Sequence, residues 1–341
     1  MNLQLISNFR TELMGFAMLI VVWFHLPIST HIIFIDFLKG NGCIGVDIFL
    51  LLSGFGLAYS TKDKFHLSTY LIKRAVRIFP VYTLIVLGVS LIKADLDITN
   101  LFYKITTIGW WINGTAYDWF IPNLLLLYLL FPLFLLLTRS QRFGIVIGCI
   151  IIVSMYIFTC SMPYNSNFQS YCRYPIFFWG AILGRLSFSF SKVSLEKVYI
   201  GLIIASVIGV GLSIWAESFY YQPDHDPSIR FEIVMTGWKF FPYFWIAPGV
   251  CMMMGYVFYK LKTFNSILKW IGSMSLEIYL IHGQFILLTR YISDTYGLNK
   301  QIVGFIFISL SFLVAYMVHL LNLRMMAGLN NVFLKNKREK L

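Results

Sequence analysis

The stretch NFRTELMGFAMLIVVWFHLP, residues 8–27, decides the class of this chain. A long apolar run begins after Glu12, and one ionisable side chain, His25, interrupts it near the far end. The run has the length of a membrane-crossing helix, which needs about 20 mostly apolar residues. An ionisable group at such a depth must find a partner or face water, so the imidazole marks a candidate site. At the helical rise per residue, His25 stands about 20 Å beyond Glu12. With the N-terminus inside, that is the outer half of the span.

Composition extends this reading to the whole chain. Its 341 residues are 58% hydrophobic, 18% aromatic and only 12% charged, against about 25% charged in a soluble domain. Too little charge is present to cover a water-facing surface, so the chain reads as an integral membrane protein. The N-terminus lacks the basic region and small-residue cleavage site of a removable signal, and the first helix is expected to stay. The net charge of +12 raises the question of nucleic acid. The basic residues, however, sit in short gaps between apolar runs, where they set topology; nucleic acid is not an expected partner. The five cysteines form no CxxC pair and no Cys/His ligand spacing, so no metal is implied.

Apolar runs near 12–29, 43–60, 78–93, 119–138, 143–160, 173–190, 196–216, 240–260, 271–290 and 302–322 predict about ten spans. Pro80, Pro132 and Pro248 are among the prolines expected near helix ends or first turns. Most Lys and Arg residues fall on one side, which places both termini in the cytoplasm. The expected fold is all-α, a polytopic membrane protein with one domain over 1–341 and a basic cytoplasmic tail at 323–341. No internal repeat is visible. Two long outer loops, about 94–118 and 217–239, are rich in Trp, Tyr and Asp. Asp47 lies one turn into the second expected span, which descends from the outer face, so it shares the depth of His25. A carboxylate within reach of that imidazole would orient it and raise its basicity.

Six stretches carry a resemblance. FRTELMGFAMLIVVWFH, GVDIFLLLSGFGL (45–57) and YLIKRAVRIFPVY (70–82) resemble, in order, the opening motifs of the integral-membrane acyltransferase family 3. WFIPNLLLLYLLFP (119–132), RYPIFFWGAILG (173–184) and IGSMSLEIYLIH (271–282) are similar to its later landmarks, so the resemblance covers about 10–282. It implies a bacterial inner-membrane enzyme that moves an acyl group, usually acetyl from acetyl-CoA, to a hydroxyl of a surface polysaccharide or glycan precursor. Polysaccharide-assembly proteins are then expected partners, with the lipid bilayer as solvent.

The resemblance also distributes roles. His25 is the expected base, since deprotonating a sugar hydroxyl needs a group that titrates near working pH. Asp47 is either its orienting partner or a structural salt-bridge or helix-start residue, and Glu277, a mid-membrane carboxyl, joins the set as a catalytic or network residue. Arg74 and Arg77 share one face of a cytoplasmic helix start and suit the phosphates of coenzyme A. The family places Arg or Lys eleven residues before its histidine. Here that position is Met14, and Arg10, one turn earlier, is either the substitute or an interface anchor. Ser53 belongs to an S-G-F element that either shapes the donor tunnel or lets helices pack closely. Arg173 faces the acceptor or anchors at the interface, and Trp119 joins the aromatic belt or stacks on a sugar. His282 recurs in the family's Y-L-I-H stretch with its role open, and His319 is unassigned. Two other readings are a transporter or flippase of lipid-linked glycans, for which no inverted repeats or paired broken helices are seen, and a non-catalytic family member.

Overall fold

In lipid, a chain this apolar must satisfy its backbone polar groups within each segment, and every regular element among the described residues is a helix. The computed structural model describes residues 3–28, 30–61, 65–114, 117–140, 143–161, 168–189, 192–220 and 240–338. Most of the expected 217–239 loop therefore lies outside the described residues. The longer helices are α1 (Arg10–His25), α2 (Ile33–Gly40), α3 (Ile44–Ser60), α4 (Leu67–Ile92), α5 (Phe120–Leu137), α6 (Gly144–Ser161), α7 (Tyr174–Ser189), α8 (Lys192–Tyr220), α9 (Phe241–Lys260), α10 (Asn265–Ser273), α11 (Ser275–Tyr296) and α12 (Lys300–Arg338).

Among the described residues, 5 helices are long and apolar enough to cross a membrane by themselves. The number rises to 7 if α2 with α3, and α10 with α11, each count as one bent span. Several boundaries differ from the sequence expectation. The first helix runs over Arg10–His25 rather than 12–29; Pro27 offers no N–H to a further turn and disfavours helical backbone at Leu26. The helix expected at 78–93 starts at Leu67 and carries Pro80 in its interior. Pro132 and Pro248 likewise lie inside α5 and α9. Membrane helices tolerate such prolines because neighbouring groups re-satisfy the freed carbonyl. The span expected at 271–290 is broken at Met274, so paired broken helices do occur here.

The chain divides into two compact units interleaved in sequence. The first comprises Met1–Val21, Asn41–Leu67 and Asn123–Ser273. Its centre is the crossing of α3 and α7, where backbones approach without side chains between them. A Cβ on Gly54 would fall 1.8 Å from the Phe177 carbonyl oxygen, and one on Gly180 would fall 2.1 Å from that of Leu51. Only glycine permits this approach, which is the small-residue packing of membrane helices. Phe177 then fills the flank, with Tyr128 and Phe131 rings against it. A second close pass brings Gly15 of α1 to the Leu268 carbonyl of α10 and Gly272 to that of Thr11.

The second unit comprises Val22–Gly40, Ser68–Pro122 and Met274–Leu341. Here α11 and α12 lie side by side, with Phe285 and Phe307 in ring contact. The end of α1 docks onto this pair through Pro27. A Cβ on Gly304 of α12 would come within 2.8 Å of the Pro27 ring and 3.6 Å of Thr289 on α11.

Candidate active site

His25 is the last residue of α1 and is exposed. The Leu26 N–H closes the final turn on the Val22 carbonyl, and Pro27 is held in the Gly304 notch, so the backbone behind the imidazole is fixed. The ring of His25 meets that of His282, with centroids 5.2 Å apart and planes at 66°. His282 is 4% exposed, on α11. Its Nδ1 lies 3.0 Å from the Ile278 carbonyl and 2.7 Å from the Tyr279 carbonyl. Carbonyl oxygens only accept, so Nδ1 carries a proton and Nε2 of the neutral ring is left with a lone pair.

A polar chain continues behind His282. The Tyr279 ring lies 5.6 Å from it, and the Tyr279 hydroxyl donates to Asp118 Oδ1 at 3.0 Å. The other Asp118 oxygen accepts the Ile121 N–H at 2.9 Å, which satisfies an orphan donor in the first turn of α5. Burial pushes Asp118 above the usual carboxylate range, while its N–H donors and the Tyr279 hydroxyl pull it back. Next to it, Tyr117 donates to the Leu280 carbonyl at 2.8 Å and meets Tyr82 edge-on at 6.1 Å. Lys93 donates to Gln284 on the same helix at 2.9 Å.

The remaining sequence-named residues of this unit are Glu277, Arg74, Arg77 and Trp119. Glu277 is buried and accepts from His319 Nδ1 at 2.9 Å, tying α11 to α12. Arg74 and Arg77 lie in the body of α4, three residues apart, the first half-buried and the second exposed. Trp119 is half-buried and meets Phe120 edge-on at 5.9 Å.

The first unit holds the others. Asp47 and Arg173, 2% and 4% exposed, form an ion pair at 3.4 Å. The same guanidinium donates to the Cys43 carbonyl at 3.3 Å and lies 4.5 Å over the Phe240 ring. Tyr243 completes this cluster, accepting from Cys43 Sγ and donating to Asn41. The structure gives Asp47 the salt-bridge role that the sequence held open beside a partnership with His25. Arg10 donates through Nε to the Leu52 carbonyl at 3.1 Å. Its guanidinium rests on Gly56, where a Cβ would come within 2.6 Å of Cζ. Ser53 and Met14 are buried.

Sequence reasoning missed Asp118, Tyr279 and the His319–Glu277 pair. Only Asp118 left a signal, as an Asp just ahead of an apolar run, where helix-start acceptors are favoured. Together, His25, His282, Tyr279 and Asp118 form a cluster of polar side chains within the second unit. The family 3 acyltransferase model, described as an acyltransferase domain, matches residues 13–320, and the protein belongs to that family. No curated protein and no solved structure matches the chain.

Proposed function

We propose that the protein is an O-acyltransferase of the bacterial cell membrane, moving an acyl group, acetyl foremost, from cytoplasmic acyl-CoA to a hydroxyl of a surface polysaccharide or its precursor. The observation that carries this reading is His25, exposed at the end of an apolar helix with its ring set against His282, in a chain of an acyltransferase family. His25 takes the proton of the acceptor hydroxyl as that oxygen attacks the thioester carbonyl. The C–S bond then breaks and the proton passes to the coenzyme A sulfur. Acyl transfer first to the imidazole is the alternative route. Arg74 and Arg77 hold donor phosphates, a task suited to paired guanidiniums, and Trp119 flanks the acceptor.

About ten crossings with both termini cytoplasmic is the topology this division of labour requires. The 7 apolar spans, counting bent pairs, leave α1, α6 and α7 to supply the other three. The test is transfer from labelled acetyl-CoA in membranes. His25→Ala should lower it by about 100-fold or more. Unchanged transfer would overturn the role of His25. If wild-type membranes form no acetyl-CoA-dependent product, the enzyme reading gives way to a transporter or a non-catalytic member. Mass spectrometry of surface glycans with and without the protein identifies the acceptor.

A further inference from the structure

We propose that His282 is the positioning residue for His25. Its Nε2 accepts the N–H of the His25 nitrogen that does not face the acceptor, and so aims the lone pair of the base at the hydroxyl. This rests on the reading of His25 as the base.

A base on a single imidazole needs its other nitrogen committed, because the ring otherwise samples both tautomers and several orientations. Asp47, a carboxylate that could take this part, is paired with Arg173. His282 is in ring contact with His25, and its own chemistry is settled by its helix. The Ile278 and Tyr279 carbonyls hold the proton on Nδ1, so the nitrogen left for a neighbour is an acceptor. His282 cannot turn to offer a donor without abandoning two hydrogen bonds in a buried setting. Its orientation is braced further by the Tyr279 ring, which Asp118 anchors to the start of α5. His25 is exposed and carried on a helix end, whereas His282 is buried in mid-helix. The rigid partner therefore orients the accessible one.

The proton count closes without His282 titrating. The acceptor proton makes His25 an imidazolium with two N–H groups. One stays on the His282 lone pair, and the other leaves with the thiolate when the C–S bond breaks.

The side-chain carbonyl and amide of Asn and Gln separate positioning from mere structure. In His282→Asn the short amide N–H can still serve the Ile278 and Tyr279 carbonyls, but no acceptor reaches the Nε2 position. In His282→Gln the longer side chain brings its amide oxygen there. Initial rates from labelled acetyl-CoA, per mole of monodisperse protein, are compared for wild type, both variants and His25→Ala. The expected result is a fall in maximal rate on the order of 100-fold for His282→Asn, with the KM for acetyl-CoA changed less than about twofold and His282→Gln restoring most of the rate. A wild-type rate in His282→Asn, or equal losses in both variants, overturns the proposal. If that happens while His25→Ala is inactive, His25 stands as the base and only His282 loses its role. An active His25→Ala, or wild type without transfer, overturns both.

Discussion

Asp47 and Arg173 illustrate what a single residue's depth can and cannot reveal. Helix rise gives each residue only an expected axial level, the same one for Asp47 and His25. It carries no azimuth, and several side chains at one level compete for the same carboxylate. Arg173, just ahead of its own helix, wins that contest with Asp47 at 3.4 Å. His319 shows the same limit: alone in an apolar run, it gives no hint of Glu277 on the neighbouring helix. The buried Asp47–Arg173 pair supports a stability prediction. Arg173→Met leaves a buried carboxylate without its counter-charge and should cost about 3–5 kcal/mol. Adding Asp47→Leu should recover most of that loss, because replacing both charges removes the uncompensated one. Thermal unfolding in detergent compares the two; a double variant no more stable than the single one would contradict the account.

Helix identity was legible in the amino-acid pattern, and helix ends much less so. Apolar density locates nearly every long element because lipid leaves the backbone no alternative. It does not register the break at Met274, which stands between Ser273 and Ser275, because small polar residues also occur inside unbroken membrane helices. Nor does it anticipate Pro80, Pro132 and Pro248 inside helices, where soluble-protein rules place ends. Gly180 and Gly184 are spaced as a G-x-x-x-G, a signal of close helix packing, and both serve the α3–α7 crossing, against the Leu51 and Phe55 carbonyls. Gly304 carries no such signal, because its partner Pro27 lies far off in sequence. Its notch sets where the end of α1 sits, so Gly304→Val should push Pro27 away and displace His25. Acetyl transfer should fall on the order of 10- to 100-fold, while the unfolding temperature moves little. Gly88→Ala, where a Cβ would meet nothing within 4 Å, is the matched control. Full activity in Gly304→Val would show that the notch does not position the base.

For the molecule as a whole, family membership and helical class were both open to reading from motifs spread over most of the chain. The interleaving of two compact units was not, because each draws segments from distant parts of the sequence. Bent spans are a device shared with transporters, and it is the family match over 13–320, rather than helix geometry, that favours chemistry over passage. The proposed topology predicts that a C-terminal fluorescent fusion is bright and a C-terminal periplasmic phosphatase fusion inactive; the reverse would require an odd number of crossings or an inverted chain. One further consequence attaches to the hydrogen bonds that hold His282 Nδ1. A proton arriving at Nε2 could go onward only by leaving Nδ1, and the peptide carbonyls beyond are far too weakly basic to carry it. Under the proposed mechanism the two histidines form a blind end instead of a conduit, and proton transfer at His25 leaves intact the gradient that the bilayer maintains.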